Sequence, residues 1–257
     1  MPVDLDIRIH HDSQAAAAAA AAFVLDVGKE AVRAQGRFLM ALSGGTTPET
    51  LYRTLASPSF ADLFDWSKAT FFFSDERCVP PNDPRSNYAL ADNTLFTPLN
   101  IAPSQVYRMA GESPDPEAAA HQYEQQLRLA TDTAPSAQPS LDLILLGLGE
   151  DGHTASLFPG APNLRDHQRM IAATHSPKDP PNRLTMTLAA INRASMILFL
   201  VTGAGKAGIV RAILDPKTEA ERQLPASLVK PEEGRLIWFL DQAAASELPI
   251  HQRRMST

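Results

Sequence analysis

The 257-residue chain holds a single cysteine, Cys78. No internal disulfide can form, which fits a reducing compartment. No apolar run approaches the length needed to cross a bilayer. The start, MPVDLDIRIHHD, has no basic stretch followed by an apolar one, so it does not read as a secretory signal, and a cytoplasmic location is expected. Cations are in deficit: 23 Lys and Arg face 29 Asp and Glu, for a net charge of -6. No global basic field draws nucleic acid or an anionic membrane, and neither is expected as a partner. A small anionic ligand therefore needs a local cationic pocket. Metal-ligand spacing such as H-E-x-x-H is missing, so no metal is expected.

The composition that remains is that of a globular protein, with 44% hydrophobic and 20% charged residues. Leu5, Ile7 and Ile9 alternate with polar residues, a short strand pattern suited to a sheet edge. Ser13 is a capping residue for the unbroken alanine run from Ala15 to Ala22. Apolar anchors at helical spacing come after the run, so it predicts a helix ending near Gln35-Gly36 rather than a low-complexity tract. Continuous apolar strands are expected at 38–42, 69–74, 141–146, 196–201 and 236–240, with a helix opened by Pro48, one from about 114 to 131, and one from Lys206 to about Leu214. Gln105 to Tyr107 and Met170 to Ala173 read as short strands, 131–140 as a polar loop, and Asp241 as the start of a short helix. The alternation of strand and helix predicts an α/β fold with a mostly parallel sheet covered on both faces. One domain over 1–257 is the expected organisation.

Three loops at strand ends carry the chemistry. Ser43-Gly44-Gly45-Thr46-Thr47-Pro48 links a strand to a helix. Its glycines let backbone approach a ligand, and first-turn N–H groups and hydroxyls can face an anion. The same composition serves an ordinary βα turn, and spacing alone does not decide between them. It is not a Walker A loop, since no Gly-Lys-Ser/Thr follows. Asp75-Glu76-Arg77-Cys78 closes a buried strand with three charges; Cys78 reads as a passive small residue rather than a nucleophile. Leu141 to Gly160, LDLILLGLGEDGHTASLFPG, delivers Asp151 and His153 among glycines. A histidine takes protons near neutral pH, and a carboxylate two residues away can hold its tautomer. The G-x-G-x-x-G spacing of Gly147, Gly149 and Gly152 does not mark a nucleotide site: Pro159 and Gly160 end any helix early, and no acid closes the next strand. ALSGG around Ser43 is not a G-x-S-x-G elbow, so a Ser-His-Asp triad is not expected. Lys206, at a helix N-terminus against the dipole preference, is easier to understand beside an anion.

Together these blocks resemble the 6-phosphogluconolactonase family. The carrying motifs are SGGTTP at 43–48, SDER at 74–77 with Ser86-Asn87-Tyr88, GxGEDGHTASLFPG at 147–160, NRLTMT at 182–187, GxGK at 203–206 and WFLD at 238–241. The resemblance implies an open, Rossmann-like three-layer fold similar to the deaminases and ribose-phosphate isomerases. It also implies hydrolysis of 6-phospho-D-glucono-1,5-lactone without a cofactor, by a monomer or weak homodimer. By the same resemblance His153 is the general base and Asp151 its orienter. Ser43, Gly44, Gly45, Thr46, Asp75, Arg183 and Lys206 bind the substrate and its phosphate. Arg77 faces either the carbonyl oxygen or the phosphate. The related glucosamine-6-phosphate deaminases follow their histidine with a glutamate-bearing segment. This chain has Ala155-Ser156-Leu157-Phe158-Pro159 there and Asp75-Glu76-Arg77 in place of Asp-Glu-Tyr, and both differences favour the lactonase. A sugar-phosphate sensor of a transcription regulator would need a helix-turn-helix ahead of the domain, where only a short strand and the alanine-rich helix stand.

Overall fold

The computed structural model describes residues 5–132 and 139–252. In chain order the principal elements are β1 (Leu5–His10), α1 (Ser13–Gln35), β2 (Phe38–Leu42), α2 (Thr46–Leu55), β3 (Ala69–Phe73), β4 (Asp75–Arg77), α3 (Asn87–Ala91), α4 (Pro116–Ala130), β5 (Leu143–Leu146), β6 (Ile171–His175), β7 (Asn182–Met186), α5 (Leu188–Ile191), β8 (Met196–Val201), α6 (Ala207–Leu214), α7 (Glu219–Arg222) and β9 (Arg235–Asp241). Six strands form a parallel sheet in the order β1-β9-β8-β5-β2-β3. A second, antiparallel sheet has the order β4-β7-β6.

The central strands are buried on both faces and alternate their side chains between two cores. Met40, Leu143, Leu145, Leu198 and Phe239 face the core built with α1, α2 and α3. Ala41, Ile144, Leu146, Phe199 and Trp238 face the core shared with α4, α5, α6 and the smaller sheet. Phe199 and Trp238 stack there with centroids 4.1 Å apart. The alanine run is a helix as expected, and its use is close approach: Ala16, Ala17, Ala20 and Ala21 are fully buried. Asp142 interrupts the apolar run before β5 for a reason. Its carboxylate accepts from the Leu39 backbone N–H at 2.7 Å and from Gln35 Nε2 at 2.7 Å, joining strand ends at the bottom of the sheet.

Several expectations need correction. Asp12, not Ser13, caps α1, accepting from Ala15 N at 2.8 Å. The helix after the glycine loop begins at Thr46, so Pro48 lies inside its first turn. The segment 103–105 is a 3₁₀ turn and Val106 makes one isolated bridge to Phe71, so no strand forms there. The helix expected from about 114 to 131 has Ala118, Ala119, Tyr123, Leu127 and Leu129 as its apolar residues, but Leu129 points outward, 78% exposed, while Ala120 takes a buried position. Turns, not a helix, come after Asp241. The polar loop expected at 131–140 lies partly outside the described residues. The larger omission is the antiparallel sheet, because β4 is three charged residues with no apolar period to reveal it.

The topology sets the site. β3 lies beyond β2 on one side, whereas β5, β8 and β9 stand in turn on the other. Helix α2 leaves β2 toward one core, and the chain after β5 turns toward the other. The loops after β2 and β5 thus part at the carboxyl end of the sheet, the crevice where open α/β sheets bind ligands.

Candidate active site

A cleft of about 370 Å³ opens at that crevice. It is lined by nine of the ten residues expected from the sequence: Ser43, Gly44, Gly45, Thr46, Asp75, Arg77, His153, Arg183 and Lys206. The tenth, Asp151, sits behind the histidine, with Oδ1 hydrogen-bonded to His153 Nδ1 and to the His153 backbone N–H. If Nδ1 carries the proton, Nε2 is left as the acceptor. The ring leans on Phe158, with centroids 4.8 Å apart. The loop closes on itself where Gly149 N donates to His153 O at 2.8 Å. Thr154 Oγ1 ties it to Gly147 O at 2.9 Å.

Burial acts to raise the Asp151 pKa, but the hydrogen bonds and charge of His153 outweigh it, and the carboxyl ends below its ordinary value. A folded-state pKa below the unfolded one stabilises the protein above the unfolded value, near 3.9, and that contribution is lost as pH falls through the folded value. The Tm gap between wild type and Asp151→Asn is therefore expected to hold at neutral pH and to close as the pH falls below the ordinary carboxylate value and through the lower folded one. Thermal scans across that range check it; a gap that persists at the acid end contradicts the pairing.

A buried polar chain crosses beneath the cleft. Ser156 donates its hydroxyl to Asp75 Oδ2 at 2.6 Å, and its backbone N–H donates to Thr185 Oγ1 at 3.1 Å. Asp75 and Thr185 are paired residues of β4 and β7. Asn87 Nδ2 donates to Asp75 O at 2.8 Å and to its Oδ1 at 3.1 Å. Asn87 in turn lies flat against Gly44, where an added Cβ would meet its Oδ1 at 1.8 Å. The histidine loop, the small sheet and the glycine loop are thus one hydrogen-bonded and packed unit. Ala155 holds φ at 47°, a left-handed value that a non-glycine residue adopts at a cost and that turns Ser156 inward. On the other wall, the Tyr52 hydroxyl donates to Ser43 O at 2.6 Å and accepts from Ser43 N at 3.0 Å, fixing the strand end. Gly203 N is held by both oxygens of buried Asp241, at 3.0 Å each, which places the Lys206 turn.

Residues 11–238 match the family described as glucosamine-6-phosphate isomerases/6-phosphogluconolactonase. The chain belongs to this family. It is 41% identical over 229 residues to the 6-phosphogluconolactonase of Homo sapiens, covering 87% of this chain and 86% of the human one. Among solved structures it is similar to the devB protein, with 34% identity, a TM-score of 0.86, and coverage of 95% of this chain and 100% of that one. It is also similar to the 6-phosphogluconolactonase of Trypanosoma brucei, with 27% identity and a TM-score of 0.83 over 96% of this chain and 100% of the other.

Within this family frame, the cleft has lining residues beyond the ten expected from the sequence. Ser176, Lys178 and Asp179 come from the proline-rich loop 175–182, and Glu150, Thr47 and Thr202 complete the rim. Glu76 lies behind the wall: it is 2% exposed and accepts from the backbone of Arg77, Asn87 and Tyr88 and from the Ser86 hydroxyl. Burial outweighs these bonds and raises its pKa. Its place at the start of α3 makes it structural. Cys78 is half-buried, and burial raises its thiol pKa, as suits a passive residue. Among the described residues no group of three or more His, Cys, Asp or Glu side chains is arranged to hold a metal ion, and no helix is long and apolar enough to cross a membrane.

Proposed function

We propose that the chain hydrolyses 6-phospho-D-glucono-1,5-lactone to 6-phospho-D-gluconate, the second step of the oxidative pentose phosphate pathway, with His153 as general base. The observation that carries the reading is the Asp151-held imidazole facing a cleft that also presents Arg77, Arg183 and Lys206, in a chain of this family. A water bound against His153 Nε2 loses its proton to the ring as its oxygen attacks the lactone carbonyl carbon. The carbonyl oxygen takes negative charge, which the cationic side chains stabilise. The bond from the carbonyl carbon to the ring oxygen then breaks, and His153 returns the proton to that oxygen. Asp151 holds the Nδ1 proton throughout, so Nε2 is the atom that takes the proton and returns it. No covalent intermediate is needed. Ser43, Gly44, Gly45 and Thr46 bind the sugar phosphate from the opposite wall, and Asp75 contacts it from beneath.

All of these groups come from one chain. Among the described residues only Leu63, Leu129 and Ile250 are large exposed apolar side chains, which supports a monomer or weak homodimer. The same reading takes 1–257 as one domain, supported by the pairing of β1 with β9, and places it in the cytoplasm, in keeping with its single cysteine.

The test is a coupled assay on freshly generated 6-phosphogluconolactone with the spontaneous opening subtracted. Turnover well above the spontaneous rate is expected, with no ammonia released from glucosamine 6-phosphate. Lactone opening at the spontaneous rate alone would overturn the assignment.

A further inference from the structure

Arg77 and Arg183 are directly opposite one another across the β4–β7 pair, so two like charges share one face of the small sheet. Burial first, and then the charge of Arg77, lower the pKa of Arg183. Such a pair holds its geometry only if each guanidinium is tethered. Arg77 Nη1 donates to the carbonyl oxygen of Arg85 at 2.5 Å. Arg183 Nε donates to the carbonyl oxygen of Pro180 at 2.8 Å. The two carbonyls belong to different loops, 80–85 and 176–181. Those loops are joined by one ion pair, Arg85 Nη1 to Asp179 Oδ2, at 2.9 Å. The rest of the Arg85 fork is taken by Asp83, through Nε to Oδ1 at 3.0 Å and Nη2 to Oδ2 at 2.8 Å, so the bridging arm has a fixed direction.

We propose that Arg85 and Asp179 are positioning residues: their ion pair clasps the two loops whose carbonyls hold Arg77 and Arg183, and it thereby sets the anion-binding geometry of the cleft. The contacts close a ring that runs from Arg77 through the Arg85 backbone, its side chain, Asp179, Pro180 and Arg183, and back across β7 to β4. Arg85 itself does not line the cleft. Asp179 does, beside Lys178 and Ser176 of the same loop. The side chains are 50% and 78% exposed, so the pair contributes little to global stability. Its effect falls on the placement of the cations, and hence on affinity. The inference rests on the lactonase reading for the identity of the anion, and a binding measurement separates the two.

The experiment compares wild type with Arg85→Ala, Asp179→Ala, the double variant and Arg85→Lys. It reads KM and kcat on the lactone, Kd for 6-phosphogluconate by calorimetry, and Tm. KM and Kd are expected to rise about two- to fivefold in each alanine variant, with no further rise in the double, because both changes break the same link. The expected kcat stays within about twofold, and Tm within about 2 °C. Arg85→Lys, which keeps a cation in reach of Asp179, recovers at least half of the loss. Unchanged KM and Kd in all variants, or rises that multiply in the double, would overturn the clasp. If wild type binds 6-phosphogluconate without accelerating lactone opening, the activity assignment fails while the Kd series still decides the clasp.

Discussion

Replacing His153 with alanine is expected to lower kcat by roughly 10²–10⁴-fold while leaving KM nearly unchanged. The variant keeps every cation in the cleft, so the sugar phosphate still binds. On the proposed mechanism it loses only the acceptor for the water proton. The His153 side chain is 23% exposed and lies at the rim, so the fold should tolerate the loss of one ring contact with Phe158. Because the lactone opens unaided, the spontaneous rate must be subtracted at each substrate concentration. Added imidazole is expected to restore part of the lost rate, since the vacated space admits a ring of the same size. Turnover like that of wild type in the variant would sink the assignment of the base. A loss confined to KM would move the histidine from proton transfer to binding.

A second large loss is expected from a change that removes no functional group. A Cβ at residue 149 would lie 2.0 Å from His153 Nδ1 and 2.6 Å from Asp151 Oδ1. Gly149→Ala must therefore push the imidazole and its carboxylate apart or outward. The ring cannot simply retreat, because Phe158 backs it. A displacement of about 1 Å at a reacting group costs on the order of 10²-fold, and kcat should fall by about that factor. The clash involves the ends of two side chains rather than the strand beneath them. Stability should thus fall by about 1–3 kcal/mol, a Tm drop of a few degrees. Steady-state kinetics and thermal melts on one preparation check both halves. A variant with kcat within about twofold of wild type would show that the loop relaxes and that the tight glycine packing does not fix the dyad.

Legibility in the sequence tracks the range of the interactions. Asp151 and His153 are two residues apart in a glycine loop after an apolar run, so their meeting is a local event, readable from spacing. The central strands were legible for the same reason, since burial on both faces leaves continuous apolar runs such as MILFLV. The second sheet was not. Asp75-Glu76-Arg77 looks like a charged strand end, and only pairing with the distant Asn182–Met186 turns it into β4. With that sheet unseen, Lys178 and Asp179 had no reason to approach the cleft and read as a proline-rich loop. Asn87 was visible as part of a motif, but its work depends on contact with Gly44 and Asp75, which no local pattern records. Small misplacements had small causes. Asp12 and Ser13 are both good caps, and adjacent candidates differ only in which one adopts the extended backbone.

The edge strand β1 has one partner, β9, with Ile7 opposite Trp238. Among the described residues the first strand is therefore completed by the last, and α1, which packs early on α2 and β2, gains its β9 contact only then. Loop closure over nearly the whole chain must precede that contact, so it belongs among the slow steps of folding. During synthesis the part of α1 that packs on β9 stays uncovered until the ribosome has released Ile237 and Phe239. A nascent chain stalled before β9 should be protease-sensitive at its N-terminal end even when the strands between are formed.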